Sequence, residues 1–171
     1  MTTTIPKWGR ELKTGSHQSF REGVCALELA DYLARSKAGL VSLDDAPSDS
    51  PPCVCPVIAQ FMRSWNDALH DDDRSRLLLP IVPLLLDTAG SAELQERRAW
   101  AVVNWATRVQ APEWLDLAGL SEHAEDLRSC GELLNEDDLR GAQPKVDAAW
   151  AAAGDAARDA ARDAAGDAAW A

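Results

Sequence analysis

The fold is decided by residues 53–69, CVCPVIAQFMRSWNDAL. Large apolar residues recur here every three or four positions, which is the spacing that places side chains on one face of a helix. Pro56 suits the first helical position, because a residue there has no intrahelical acceptor for an N–H. The stretch therefore predicts a central helix over residues 56–69, around which the other helices pack. Its apolar face comprises Val57, Ile58, Phe61, Met62, Trp65 and Leu69.

Three segments precede this helix. Residues 1–18 are predicted to form a polar N-terminal arm. Ser19 and Glu22 have the spacing of a capping box, in which two side chains bind backbone N–H groups at the start of a helix. Gly39 is a typical helix end, so we expect the first helix over residues 19–39. Prolines and aspartates in residues 41–55 indicate a loop, because proline is excluded from helix interiors.

The segments after the central helix also have helical patterns. Pro80 and Pro83 interrupt residues 74–86, which form either one kinked helix or two short ones. A long helix is expected over residues 92–110, then one from Pro112 to Gly119 and another over residues 121–127. Residues 19–140 are thus predicted to form one helical bundle domain. The core face of the helix over residues 92–110 is expected to comprise Ala99, Val102, Val103, Ala106 and Val109.

After Pro144 the sequence becomes a four-residue repeat rich in alanine. Alanine has the highest helix propensity, so residues 145–171 are predicted to form a long helix. Small residues with spacings of three and four collect on one side of it, which suits the close approach of a second helix. This expected interface comprises Trp150, Ala153, Ala157, Ala160, Ala164 and Ala168. The predicted fold class is all-α, with a compact multi-helix bundle followed by a long alanine-rich helix.

The composition of the 171 residues, 46% hydrophobic and 26% charged, is typical of a globular protein. A net charge of −11 argues against direct binding to nucleic acid or to an anionic membrane, since both require a positive field. The N-terminus has no apolar leader segment, and the longest apolar run, residues 77–86, is about half a membrane span. Four cysteines without an export signal favour a cytoplasmic location.

Three cysteines and one histidine are candidate ligands for zinc or another thiophilic metal: Cys25, Cys53, Cys55 and His17. Zinc sites usually contain paired ligands such as two C-x₂-C motifs, and this sequence has only one C-x-C. Packed thiols are therefore the simpler interpretation, and no cofactor is otherwise predicted. Cys55 is also a candidate reactive thiol, because the N-terminus of a helix lowers the pKa of a thiol.

Seven tryptophans are present, and each could be a core residue or an interface anchor. Trp65 lies on the apolar face of the central helix and is expected in the core. Trp8, Trp114 and Trp150 could be anchors, although core packing is the simpler assumption for each.

Three stretches carry a resemblance to known sequences. HQSFREGVCALEL over residues 17–29, CVCPVI over residues 53–58 and RSWND over residues 63–67 resemble an uncharacterised family of actinobacterial and actinophage proteins. Members of this family have a cysteine-containing helical domain and often an alanine-rich C-terminal tail. The resemblance implies a cytoplasmic or phage-encoded setting, and it supplies no activity and no catalytic residues.

The leading functional hypothesis is a non-enzymatic interaction or assembly protein that associates through its alanine-rich C-terminal helix. The partner would be the protein itself or another helical protein, because an alanine face has no use in water unless a second helix covers it. A first alternative is a metal-binding or thiol-active protein that uses Cys25, Cys53 and Cys55. A second is an acidic inhibitor or nucleic-acid mimic of the phage type, suggested by the net charge.

Overall fold

The computed structural model describes residues 4–169, with side chains up to residue 162. Within this range the chain is all-α, which confirms the predicted fold class. A 3₁₀ turn at Lys7–Arg10 precedes the helices, and a π-helical segment, Ala106–Gln110, joins the fifth to the sixth. The chain divides into two compact units between Gln95 and Glu96. The helices are α1 Ala26–Lys37, α2 Pro56–Ala68, α3 Asp71–Leu78, α4 Val82–Leu85, α5 Ala92–Trp105, α6 Ala111–Leu117, α7 Ser121–Arg128 and α8 Glu136–Ala169.

The centre of the N-terminal unit is α1 rather than α2. Helix α1 packs against both α2 and α4, and seven of its twelve residues are buried. The buried apolar residues of the unit form one cluster that α1 dominates, so α2 is a flanking helix. The large members of this cluster are Leu12, Phe20, Leu27, Leu29, Leu33, Met62, Leu78, Val82 and Leu85.

The buried face of α2 is rotated relative to the predicted face. Ala59, Met62 and Asn66 are buried, whereas Phe61 is 49% exposed. Trp65 packs at the edge of the apolar cluster, as predicted. The rotation follows from Asn66, because its side chain accepts a hydrogen bond from a backbone N–H of α1 and therefore has to face inwards.

The N-terminal arm is packed against the unit and is not a free polar segment. Leu12 is buried, its N–H donates to Ser75 Oγ at 2.9 Å, and it forms an isolated bridge with Val24. The indole of Trp8 makes an edge contact with the ring of Tyr32, with centroids 4.7 Å apart. Apolar residues in a segment of mixed composition thus hold the arm in place.

Helix α1 begins at Ala26, seven residues after the predicted N-cap, Ser19. Cys25 is the N-cap, and Glu28 at the third helical position accepts a hydrogen bond from the N–H of Cys25 at 2.8 Å. This is a capping box with cysteine in place of the usual serine or threonine. The residues from Ser19 to Glu22 form a turn, closed by a bond from the N–H of Glu22 to the carbonyl of Ser19.

Helix ends that depend on glycine are where the sequence predicts them. Gly39 follows α1 with a φ of 71°, and the N–H of Leu40 donates to the carbonyl of Arg35 at 2.9 Å. This 6→1 bond is the signature of a Schellman motif, which needs a residue in the left-handed region. Gly119, with a φ of 76°, ends α6 in the same way.

Prolines also influence helix boundaries at two other places. The segment predicted as one kinked helix or two short ones is two short helices, α3 and α4, with Pro83 in the first turn of α4. The π-helical segment lies just before Pro112, and a bond from the N–H of Ala111 to the carbonyl of Ala106 closes its wider turn. A wider turn accommodates proline, because the pyrrolidine ring collides with the carbonyl four residues earlier in a regular helix.

Among its described side chains, the C-terminal unit contains two small apolar clusters. Cys130, Leu133 and Ala142 form one, on which Val103 packs. The other comprises Leu115, Ala124, Leu127 and Ala149. The predicted core face of the helix over residues 92–110 is only partly correct, because Val102 and Val109 are exposed.

Helix α8 crosses the predicted boundary without a break. Asn135 precedes it and accepts hydrogen bonds from the N–H groups of Asp137 and Asp138 at 2.9 and 3.0 Å. Gly141 and Pro144 both lie inside α8, so the alanine-rich repeat continues a helix that belongs to the C-terminal unit. None of the helices in the described range has the length and apolar character needed to cross a membrane.

Candidate functional site

An apolar groove runs between α6, α7 and α8 in the C-terminal unit. Its volume is about 340 Å³, and every side chain that lines it is apolar. Helix α7 contributes only Leu127, so α6 and α8 supply the two walls. The lining residues are Ala111, Trp114, Leu115, Ala118, Leu127, Val146, Ala149, Trp150 and Ala153.

The two walls have the same sequence spacing. In the first wall the lining residues lie at positions 111, 114 and 115 of α6 and at position 118, its C-cap; on α8 they lie at positions 146, 149, 150 and 153. This i, i+3, i+4, i+7 pattern places four side chains on one face of each helix. Two alanines in each wall leave space above the buried side chains of Leu115 and Leu127.

Two tryptophans project from the walls into solvent. Trp114 on α6 is 69% exposed and Trp150 on α8 is 83% exposed. The assumption that these two side chains pack in the core is therefore wrong. Leu117, one turn after Trp114, is also exposed and extends the apolar surface. Large exposed apolar side chains that are contiguous in this way are typical of interaction surfaces.

Polar contacts outside the groove hold its three helices together. The guanidinium of Arg128 on α7 donates to Asp116 Oδ2 on α6 at 2.5 Å and lowers the pKa of that carboxyl. Lys145 Nζ on α8 donates to the hydroxyl of Ser129, just after α7, at 2.8 Å. These contacts fix the position of both walls relative to α7.

The structure brings part of the predicted interface together. Trp150 and Ala153 line the groove, whereas Ala157 and Ala160 are exposed on later turns of α8. The side chains of Ala164 and Ala168 lie outside the described residues. Sequence reasoning missed Val146 and Ala149, although both continue the same spacing towards the N-terminus. Both lie inside the helix predicted over residues 145–171, so the signal was present in the sequence.

The candidate metal ligands fall into two places. His17 Nδ1 lies 2.7 Å from Glu28 Oε2, and the same oxygen accepts the bond from the N–H of Cys25. Cys53 and Cys55 lie before α2, where the N–H of Cys55 donates to Thr88 Oγ1. In the part of the chain that the structure describes, no three His, Cys, Asp or Glu side chains are grouped to hold a metal ion. The metal site stays a prediction.

Burial determines the protonation of two of these thiols. It raises the pKa of the Cys25 thiol to about 12, and it also raises the pKa of Cys53. Both thiols are therefore protonated near neutral pH. A thiolate is the form that attacks electrophiles and binds metals, so neither environment favours thiol chemistry.

A buried polar network connects the N-terminal arm with the helices. Glu28 is fully buried, and its two oxygens accept hydrogen bonds from the N–H groups of His17 and Cys25, both at 2.8 Å. Asn66 donates from Nδ2 to the carbonyl of Lys13 at 2.9 Å. Arg74, also buried, donates to the carbonyl of Asn66 at 2.7 Å. These side chains satisfy backbone groups that would otherwise be buried without partners.

A polar cavity of about 570 Å³ adjoins this network. Its lining mixes charges of both signs, including Arg10, Lys13, Asp71 and Asp72. Arg74, which also lines it, is engaged in hydrogen bonds within the protein. The cavity therefore has no single electrostatic character, and the apolar groove is the stronger candidate site.

Comparison with known proteins gives no guide to the function of either feature. No family model, no curated protein and no solved structure matches the chain. The resemblance to actinobacterial and actinophage proteins stays a prediction, and the site is interpreted from its geometry.

Proposed function

We propose that this protein is an interaction protein that docks a helix of another polypeptide in the apolar groove of its C-terminal unit. The observation that carries the proposal is the exposure of Trp114 and Trp150 on opposite walls of a groove lined only by apolar side chains. Tryptophan is enriched among the residues that dominate binding energy at protein interfaces.

The free energy available from covering the two indoles is substantial. A fully buried tryptophan removes roughly 150–250 Å² from water. Covering the exposed parts of Trp114 and Trp150 at about 25 cal/mol per Å² contributes roughly 6–9 kcal/mol in total. The entropic cost of association is of similar size, so stable docking also needs contacts with the floor of the groove.

The floor fits a helix better than an extended chain. Alanines at positions 111, 118, 149 and 153 allow the backbone of a docked segment to approach closely, as in other grooves that accept amphipathic helices. An extended chain that binds as an added strand pairs with free backbone groups at the edge of a sheet. The walls of this groove are helices, whose backbone groups are already hydrogen-bonded within the helix.

The proposal is tested with a fluorescein-labelled amphipathic peptide of about 18 residues, with a leucine face and a glutamine face. Fluorescence anisotropy with the full chain should give saturable binding. Trp114→Ala and Trp150→Ala should each weaken it by at least about tenfold, because each removes an anchor. Trp105→Ala is the matched control, because Trp105 is exposed on α5 and does not line the groove.

Two outcomes would contradict the proposal. One is the absence of binding by amphipathic peptides of any charge, and the other is equal loss of affinity in the control variant. Light scattering completes the test, because a dimer mass that returns to the monomer mass in Trp150→Ala would assign the groove to a second copy of this chain.

A cytoplasmic location is part of this proposal, because the four cysteines are thiols and thiols suit a reducing compartment. The metal-binding, thiol-active and nucleic-acid-mimic alternatives stay predictions.

A further inference from the structure

We infer that the partner segment is a cationic amphipathic helix of another protein, with Lys or Arg residues bordering its apolar face. This inference rests on the proposed function and specifies the chemistry of the occupant of the same groove. It depends on the charge of the helices that form the groove and on the internal pairing of their basic residues.

The three helices of the groove are strongly acidic. Together α6, α7 and α8 contain thirteen Asp and Glu residues against five Lys and Arg residues, which gives a net charge of −8 with histidine neutral. The remainder of the chain has a net charge of only −3 by the same count, so most of the excess negative charge lies on the three helices that form the groove.

Among the described side chains, every Lys and Arg of these helices makes a polar contact within the protein. Four arginines form ion pairs with aspartates of the same unit, and Lys145 binds the Ser129 hydroxyl. The arginine partners are Asp116 for Arg128, Asp137 for Arg140, Asp155 for Arg158 and Asp159 for Arg162. The excess charge that a partner meets is therefore negative.

Exposed carboxylates also lie next to the two anchors. Glu113 immediately precedes Trp114, and Asp147 lies three residues before Trp150, which is the spacing of neighbours on a helix surface. A docked helix that buries its apolar face between the indoles would bring its flanking side chains close to these carboxylates. Lys and Arg suit those positions, because their aliphatic stems cover apolar surface while the charged ends reach out.

The same charge disfavours the other occupants of an apolar groove. A second copy of the chain presents a C-terminal unit of the same sign, so close approach of two such units is repulsive. An anionic membrane surface is repelled for the same reason. A cationic helix is attracted over a distance set by the Debye length, about 10 Å at 0.1 M salt.

The test uses three peptides with one leucine face and polar faces of lysine, glutamine or glutamate. Anisotropy titrations with the full chain at about 20 mM and about 1 M NaCl should rank them Lys, Gln, Glu at low salt. The lysine peptide should bind at least about tenfold more tightly than the glutamine peptide. That difference should largely disappear at high salt, where the Debye length is about 3 Å.

Two sets of variants separate specific docking from general attraction. Trp150→Ala leaves the net charge unchanged and should still weaken the lysine peptide by at least about tenfold. The double variant Glu113→Gln/Asp147→Asn should weaken the lysine peptide by at least about threefold and leave the glutamine peptide unchanged. Glu132→Gln/Glu136→Gln is the control for the two lost charges, because both residues are exposed and neither lines the groove.

The outcomes distinguish this inference from the proposed function. Equal binding of the lysine and glutamine peptides at low salt would overturn the inference and leave the docking function intact. Unchanged affinity of the lysine peptide for Trp150→Ala would also overturn it, because the attraction would then be non-specific. If none of the three peptides binds, the docking function itself fails.

Discussion

Replacing Glu28 by glutamine tests whether one buried carboxylate holds the N-terminal arm against α1. One oxygen of Glu28 accepts the N–H of His17, and the other accepts the N–H of Cys25 and faces His17 Nδ1 at 2.7 Å. Glutamine has nearly the same shape, but one of its two ends is an NH₂ donor. Whichever way the amide is oriented, one backbone N–H meets another donor.

The expected loss of stability follows from this one unpaired backbone N–H. A buried donor without an acceptor costs about 1–3 kcal/mol, and hydrogen bonds to a charged acceptor are stronger than those to a neutral one. Because Glu28 is fully buried, water cannot replace the lost acceptor. We expect Glu28→Gln to lower the free energy of unfolding of the N-terminal unit by about 2–4 kcal/mol.

Native-state hydrogen exchange of the α1 amides, read by mass spectrometry, measures this loss within the N-terminal unit alone. Glu22→Gln is the matched control, since that exposed carboxylate accepts a single hydrogen bond from the N–H of Gln18 at 3.0 Å. The control should change stability by no more than about 0.5 kcal/mol. A Glu28→Gln protein as stable as the control would refute the assigned role of the carboxylate.

Three further predictions concern stability. Pro144→Ala should stabilise the C-terminal unit by up to about 3 kcal/mol in urea denaturation, because it restores an N–H donor to the Arg140 carbonyl inside α8; an unchanged midpoint would contradict this. Gly119→Ala should destabilise the protein by about 1 kcal/mol, because Gly119 has a positive φ. Gly141→Ala should stabilise it by about 0.5–1 kcal/mol, because Gly141 lies inside α8 with open space for a Cβ. Calorimetry should therefore show a lower melting temperature for the first variant and a higher one for the second. The pKa of Cys25 is raised to about 12 in the folded protein, so the unfolded chain loses this proton first as pH rises. Stability should therefore fall between about pH 9 and pH 12, and alkaline denaturation curves should show a smaller fall in Cys25→Ala.

Sequence reasoning succeeded where a helix end depends on its nearest neighbours. Pro56, Gly39 and Gly119 have conformational preferences that act within one turn, and the structure places helix boundaries at all three. The helical character of the alanine-rich repeat is confirmed over the described residues for the same reason.

Features that depend on distant partners were not predictable. Asn66 is buried because it binds backbone groups 40 and 53 residues away in sequence, and a polar residue on a helix gives no local sign of this. Likewise, the sequence identified Trp150 and Ala153 as interface residues but did not pair them with Trp114, because that pairing requires knowing that α6 faces α8. The sequence predicts a helix boundary at Pro144 because proline inside a helix has a high local cost, yet packing on both sides of it outweighs that cost.

The length of α8 links its two halves through helix cooperativity. Its 34 residues span about 50 Å, and the segment from Ala142 to Ala153 is held by contacts with the rest of the C-terminal unit. Nucleation is the unfavourable step in helix formation, whereas each added residue propagates the helix at little or no cost. The held segment therefore provides the nucleus for the turns beyond Gly154, whose described side chains are mostly exposed. Detaching that segment from α6 and α7 would therefore remove the nucleus on which the helical turns of the alanine repeat depend.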